Sequence, residues 1–356
     1  MRITSDYYPM DTINFDQIQQ QSVGIDVSSE TLEVRLGTRR TDHQLAYTPC
    51  RSFPNTQQGF ANLLEWLQSH TELSELWFIM EATGVYYEEF AYFLHQKGFR
   101  VCVLVARRAK NYAKSLPIKS KTDAIDARLL ARYGLERQPR RWQPPSQLLR
   151  QIKALLRERG QLKKQRTQLK NQRHAAQRAW NHPESSLRRL TDHIRQIEDY
   201  ISQINRQLEA LWSSQEQLAE PIRRIGKITG LGRGTVLQVI AETNGFALTT
   251  NRNQLASYAG LDVVFEQSGT RQAATKISKQ GNVHIRRALY MPALAASRHN
   301  RALRAFYQRL VERHPNHKKI ALVAVMRKLL LLIYSLWKSG QSYDEEFHYQ
   351  QITQAA

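Results

Sequence analysis

Residues 22–36, SVGIDVSSETLEVRL, place a carboxylate, Asp26, at the end of a short apolar run and follow it across a polar turn with a second strand-like stretch. Val23–Val27 and Leu32–Leu36 read as two successive strands, and Gln44–Tyr47 as a third. Asn55–His70 reads as a helix with Phe60, Leu63, Leu64 and Leu67 on one face, and Leu76–Met80 as a fourth strand that ends at Glu81 in LWFIMEATG. A helix carrying Phe90, Phe93 and Leu94, a fifth strand over Val101–Val105 and two more helical stretches follow. The last contains KTDAIDARLLA, where Asp123 and Asp126 stand at i and i+3, on one helix face.

An acid that closes a buried strand is costly without a metal or a charged partner. Two such acids and a helical pair together predict a nuclease-type site. Asp26, Glu81, Asp123 and Asp126 would hold two Mg²⁺ ions, or Mn²⁺, that activate one phosphodiester oxygen and stabilise the leaving one. The order βββαβαβα is that of the ribonuclease H fold, in which acids on the first and fourth strands and on the last helix converge. The predicted class is thus α/β plus α: an RNase H-like N-terminal domain, a long coiled-coil helical hairpin, and a mostly helical C-terminal domain.

Composition points to a polyanionic partner. The 356-residue chain carries 52 Lys and Arg against 31 Asp and Glu, a net charge of +21. No segment reads as a signal peptide or lipid anchor, and the longest apolar stretch, Ile320–Trp337, is interrupted by Arg327 and Lys328. That stretch is expected to be a packing helix rather than a membrane span. Cys50 and Cys102, without a CxxC or CxxH pattern, argue against a disulfide framework or structural zinc. Nucleic acid is therefore the expected partner, a membrane is not, and the expected location is the cytoplasm.

A linker rich in Pro and Arg, QPRRWQPPS at 138–146, closes the first domain. The expected divisions are an extension over 1–21, a catalytic domain over 22–143, a basic coiled coil over 144–219, a C-terminal domain over 220–340 and a tail over 341–356. Leu187, Leu190, Ile194, Ile197, Ile201, Ile204, Leu208 and Leu211 alternate by three and four, a coiled-coil seam. A looser seam, Leu148, Ile152, Leu155, Leu162 and Leu169, lies on the preceding arm. Trp180-Asn181-His182-Pro183 breaks the pattern, so the reading is two antiparallel helices or a dimerising stalk. The first arm is one-sidedly basic: Arg150, Lys153, Arg157, Lys163, Lys164, Lys170 and Arg173 are candidate nucleic-acid contacts, together with Arg159, Arg166 and Arg178.

IGKITGLGRGTVLQVIAE has the form of a helix-hairpin-helix, with a tight Gly230-Leu231-Gly232 turn and a second helix opened by Thr235, whose amides could grip a phosphate. The segment NQLASYAGLDVVFEQSGTRQAATKISKQGNVHIRRALYMPALAA is poor in acids. Composition reads it as a basic loop-and-helix surface for nucleic acid, with Lys276, Lys279, Arg286 and Arg287 as contacts. Nothing in its spacing singles out Ser268 as a nucleophile, because a serine needs a base or metal to become reactive.

The motifs GIDVSSETLEV, MEATGVYYE, KTDAIDARLLA, LASYAGL, QSGT and ISKQGNVHIRRALYMPA, in this order, resemble those of the bridge-RNA-guided insertion-sequence recombinases. That transposase family has a RuvC-like Asp-Glu-Asp-Asp domain and a C-terminal serine domain, and pilin-gene invertases share the pattern. The resemblance runs from about Ser22 to Gly340. It implies a metal role for Asp26, Glu81, Asp123 and Asp126, and a nucleophilic role for Ser268. It also implies a composite site built from two protomers, with two dimers bringing donor and target double-stranded DNA together. A structured non-coding guide RNA from the element's flank would pair with both, in a prokaryotic, nucleoid-associated setting. The alternatives are an RNA-independent site-specific invertase, a Holliday-junction-type metal-dependent endonuclease, or a DNA-architectural protein with a decayed site. The extension and the tail have no counterpart in these motifs.

Overall fold

The computed structural model describes residues 18–82, 84–117, 120, 122–137, 139–264, 267–268, 271–272 and 276–354. By internal contacts the chain divides into two compact units, Met1–Pro144 and Pro145–Ala356.

In the first unit, β1 (Ile18–Val27) and β2 (Thr31–Arg40) form an antiparallel pair in the register Val23↔Leu36 and Asp26↔Glu33. Their turn is closed by the Ser28 hydroxyl, which accepts from the Thr31 amide at 2.8 Å. The third strand predicted over 44–47 is one of two short pieces. β3 (Leu45–Tyr47) pairs with Gly37–Arg39 and β4 (Arg51–Pro54) with Thr31–Val34, both antiparallel to β2. Between them the Thr48 hydroxyl accepts from the Leu36 amide at 3.0 Å, so a side chain replaces one rung of the ladder.

Next come α1 (Gln57–Gln68), β5 (Trp77–Glu81), α2 (Glu88–Gln96), β6 (Arg100–Leu104), α3 (Ala106–Lys114) and α4 (Asp123–Glu136). β5 runs parallel to β1, and β6 parallel to β5, giving the sheet order β3-β2-β1-β5-β6. The two faces of the sheet are covered differently. Val23, Ile25, Leu32, Val34 and Leu36 meet Phe60, Leu63 and Leu67 of α1 and Phe90 and Leu94 of α2. Each fully buried side chain of this kind contributes about 1.5–3 kcal/mol. On the other face Ile79 and Cys102 meet Tyr112 of α3 and Leu130 and Tyr133 of α4.

The second unit begins with α5 (Gln147–Arg178) and α6 (Glu184–Ser213). They are antiparallel: Arg159 bonds Asn205 at 3.0 Å and Lys170 bonds Glu198 at 2.8 Å, so one numbering rises as the other falls. The α6 seam is buried at Ile194, Ile201, Ile204 and Leu208. On α5 only Ile152 of the expected seam is buried, joined by Leu156 and Ala176. The bases of both arms enter one apolar core with α7 (Glu216–Ile225), α8 (Arg233–Glu242) and α9 (Arg252–Ala259).

Four two-residue strands follow: β7 (Val263–Val264), β8 (Gln267–Ser268), β9 (Arg271–Gln272) and β10 (Lys276–Ile277), paired β7 with β10 and β8 with β9. The chain then forms α10 (Val283–His299), α11 (Arg301–Arg313), α12 (Lys318–Ser339) and α13 (Glu345–Gln354). Over Pro315–Ser339 the chain is long and apolar enough to cross a membrane. Its α12 is instead a core helix of this unit, with Leu322, Val325, Leu329, Leu330 and Ile333 in one apolar cluster and α10, α11 and α9 as neighbours.

Candidate active site

Strand periodicity assembles the acids. Ser22, Gly24 and Asp26 alternate onto one face of β1, and the parallel pairs Ser22↔Trp77 and Gly24↔Ile79 carry the same face to Glu81 on β5. The antiparallel pair Asp26↔Glu33 extends that face onto β2. α4 crosses this face. It can do so because residue 24 is glycine: a Cβ there would lie 2.0 Å from the Ala127 carbonyl oxygen and 2.2 Å from the Ala131 nitrogen. The first turn of α4 contains Asp123 and Asp126, and the Thr122 hydroxyl caps it by accepting from the Ile125 amide at 3.3 Å. Carboxylates at a helix N-terminus are favoured by the helix dipole.

Asp26, Glu81, Asp123 and Asp126 consequently line one cavity of about 400 Å³, with Val27, Ser28, Ser29, Thr31, Glu33 and Tyr86. Asp26, Glu81 and Asp126 are half-buried, and Asp123 is exposed. Glu33 escaped the sequence reading, although its signal was present in the alternation of Thr31, Glu33 and Arg35 against Leu32, Val34 and Leu36. The Cys50 thiol donates to Glu33 Oε2 at 3.4 Å, and burial together with that carboxylate raises its pKa above the ordinary thiol value.

All-carboxylate donors suit a hard divalent cation. Among the described residues no three acid, His or Cys groups close into a cluster that could enclose one ion by themselves. The cavity is thus an open one, in which a hard divalent cation would keep several waters.

Ser268 lies in β8, its backbone paired with Arg271 of β9. The side chains of Ser268 and Lys276 lie outside the described residues. The arm carrying them is braced at its base, where the Ser278 hydroxyl donates to Asp262. Lys279 is exposed, with a left-handed φ of 53°. Asn282 caps α10, its Oδ1 accepting from the His284 and Ile285 amides at 2.9 and 3.2 Å. Arg286 donates to the Ala259 carbonyl at 2.8 Å, and Arg287 is exposed.

A buried acid outside this cavity, Glu242 at the end of α8, was not anticipated. It is fully buried and receives two 3.1 Å hydrogen bonds from Arg157 and one of 2.8 Å from Asn282, with Lys153 at 3.9 Å. Burial pulls its carboxyl upward, but these hydrogen bonds and charges prevail and hold it below the usual carboxylate value. Arg157 and Lys153, expected on a nucleic-acid face, thus neutralise an internal charge. Lys170 pairs with Glu198. Burial, then Arg159 and Arg166, lower the pKa of Lys163. Arg150 and Lys164 are exposed, and Arg173 is half-buried.

The 230–232 turn is present, with α8 starting at Arg233 rather than at Thr235. Gly230 has φ +89°, and a Cβ there would be 2.6 Å from the Ala296 nitrogen, so α10 packs directly on it. Gly232 faces open space.

Residues 23–180 match the IS110-type DEDD transposase domain, and residues 222–308 match the transposases of the IS116/IS110/IS902 family. Pilin gene-inverting proteins of Moraxella lacunata and Moraxella bovis are each 31% identical over 329 residues, covering 92% of this chain and 98% of the relative. An uncharacterized protein of insertion element IS110 from Streptomyces coelicolor is 30% identical over 90 residues, 25% of this chain and 22% of that protein. With its carboxylate-lined cavity inside the first matched region and its match to full-length relatives, the chain belongs to the IS110 family of transposases.

Proposed function

We propose that the chain is an RNA-guided DNA recombinase that cuts and rejoins donor and target DNA through a link to Ser268. The observation that carries this reading is the single cavity lined by Asp26, Glu81, Asp123 and Asp126 in a chain of this family. The first unit is read as an RNase H-like (RuvC-like) domain; an antiparallel β1-β2 pair flanked by parallel β5 and β6 supports it. A divalent metal held by these carboxylates would neutralise charge on the scissile phosphate. Ser268 Oγ forms a bond to phosphorus as the sugar oxygen leaves and takes up a proton. A sugar hydroxyl of the exchanged strand then attacks the phosphoserine, the bond to Ser268 breaks, and the hydroxyl is restored. The number of phosphodiesters is conserved, so rejoining needs no ATP. A structured RNA from the element's flank supplies sequence choice by base pairing, and dimers pair into a tetramer to hold both duplexes.

The second reading is an RNA-independent site-specific invertase. It is favoured by similarity to the pilin gene-inverting proteins over 98% of their length. One experiment separates the two: labelled junction DNA is mixed with the protein, Mg²⁺ and flanking RNA and run on a denaturing gel. A protein-linked DNA band that is lost in Ser268→Ala and without RNA supports guided recombination. The same band without RNA supports the invertase, and free cut ends unaffected by Ser268→Ala refute the serine mechanism.

A further inference from the structure

We propose that α3 is a seat for the phosphate backbone of duplex DNA, holding the strand that enters the carboxylate cavity. This rests on the reading of that cavity as the place where DNA is cut.

The topology ties the start of α3 to the cavity rim. Leu104, the last residue of β6, pairs with Glu81, and its carbonyl accepts from the Ala82 amide at 2.8 Å. Val105 follows at once as the N-cap of α3, beside the strand end that carries Glu81. Asp123, the first residue of α4, follows Lys114 by nine positions in the chain.

The two faces of α3 differ in kind. Ala109, Tyr112 and Leu116, spaced by three and four, pack against the cluster around Ile79 and Cys102. Tyr112 fixes the rotation of the helix: its hydroxyl donates to Glu136 at 2.7 Å and its ring meets Tyr133 edge-on at 5.1 Å. Arg107, Lys110 and Lys114, at i, i+3 and i+7, share the opposite face and are exposed. No Asp or Glu occurs between Glu89 and Asp123, and none of the three cations makes an ion pair among the described residues. Glu136, the acid beneath the helix, is already engaged by Tyr112 and by Arg132 at 2.6 Å.

Like charges three and four residues apart weaken a helix, and a row of phosphates relieves the repulsion. The row spans about 10 Å at the α-helical rise, matching about three nucleotides of one DNA strand. Such contacts position a duplex without reading its sequence, as a helix beside a cutting site must when sequence is chosen elsewhere.

The test measures binding of the full chain to a long random-sequence duplex across a salt series, in EDTA, so that neither metal nor Ser268 chemistry contributes. R107Q/K110Q/K114Q is expected to lower the slope of log affinity against log salt by about 2–3, with Tm unchanged. R107K/K110R/K114R is expected to keep the slope, and Lys110→Gln alone to lower it by about 1. An unchanged slope in both Gln variants overturns the proposal. So does a slope that falls for structured RNA but not for the duplex, which would assign the face to RNA. A lowered duplex slope in a protein that never cuts DNA with Mg²⁺ would leave the seat standing and remove only the cavity reading.

Discussion

Gly24 of β1 and Ala127 of α4 meet backbone to backbone, so closely that a Cβ on Gly24 would stand 2.0 Å from the Ala127 carbonyl oxygen. The contact lies two residues before Asp26 on one element and one residue after Asp126 on the other, so it sets the spacing between strand and helix acids.

Gly24→Ala is expected to push α4 outward, because the opposing atoms are backbone and cannot rotate away. Overpacking of this kind costs about 1–3 kcal/mol, and a misplacement of about 1 Å at a reacting centre costs about 100-fold in rate. Thermal melting and a strand-cleavage assay check both effects. A variant that cuts at the wild-type rate would show that this contact does not set the site.

Asp126→Asn keeps the shape of the side chain and removes its charge. Strand cleavage should be lost while duplex affinity in EDTA stays within about twofold, a difference of roughly 0.4 kcal/mol. Equal loss of binding would reassign Asp126 from chemistry to substrate contact. Glu33→Gln should shift the Mg²⁺ concentration needed for half-maximal cleavage upward by about 10–100-fold, as expected of a carboxylate that supports metal ligands.

Glu242→Ala leaves Arg157 and Lys153 without their buried counter-charge. Breaking a buried pair costs about 3–5 kcal/mol; the partly exposed Arg157 puts the expected loss at the lower end. The carboxyl's folded pKa is lowered, so its contribution is present above the ordinary carboxylate value and is lost as pH falls through the folded one. In a Tm-against-pH series, Glu242→Gln should flatten the acid limb. An unaltered acid limb would mean that other carboxylates govern it.

Gly230→Ala would set a Cβ against the Ala296 nitrogen at a left-handed φ, and should lower stability by about 1–3 kcal/mol. Duplex affinity measured below the melting range should not change. A selective loss of affinity would support the phosphate-gripping role expected of the 230–232 turn.

Much of the first unit was legible because its elements announce themselves locally. Apolar runs ending in Asp26 and Glu81 gave two strand ends, and the i, i+3 pair gave the face of α4. β4 was not legible: RSFP is short, ends in proline and pairs only through long-range contact with β2. Glu33 was hidden because an acid alternating with apolar residues looks like a solvated strand face. The expected α5 seam is half-buried at Leu148, Leu155, Leu162 and Leu169 and fully buried only at Ile152; heptad spacing describes two helices alone, whereas the base of α5 also packs into the C-terminal core through Ile152 and Leu156. Glu242 is the most instructive case. VLQVIAE is an apolar run closed by an acid, the same signal that marked Asp26 and Glu81, yet its charge is balanced by Arg157 and Lys153. The pattern reports only that a buried charge needs a counter-charge. Whether a metal or an arginine supplies it depends on contacts far apart in sequence.

The place of that ion pair on α5 has a mechanical consequence. Arg157 sits in the first half of a 32-residue helix, and Arg178 lies about 32 Å farther along it at the α-helical rise. Just past Arg178 is Trp180, 99% exposed at the bend into α6. By rigid geometry, any small tilt where Arg157 meets Glu242 would be magnified at the tip. The arm thereby links a charge with no solvent contact to the most exposed aromatic side chain among the described residues.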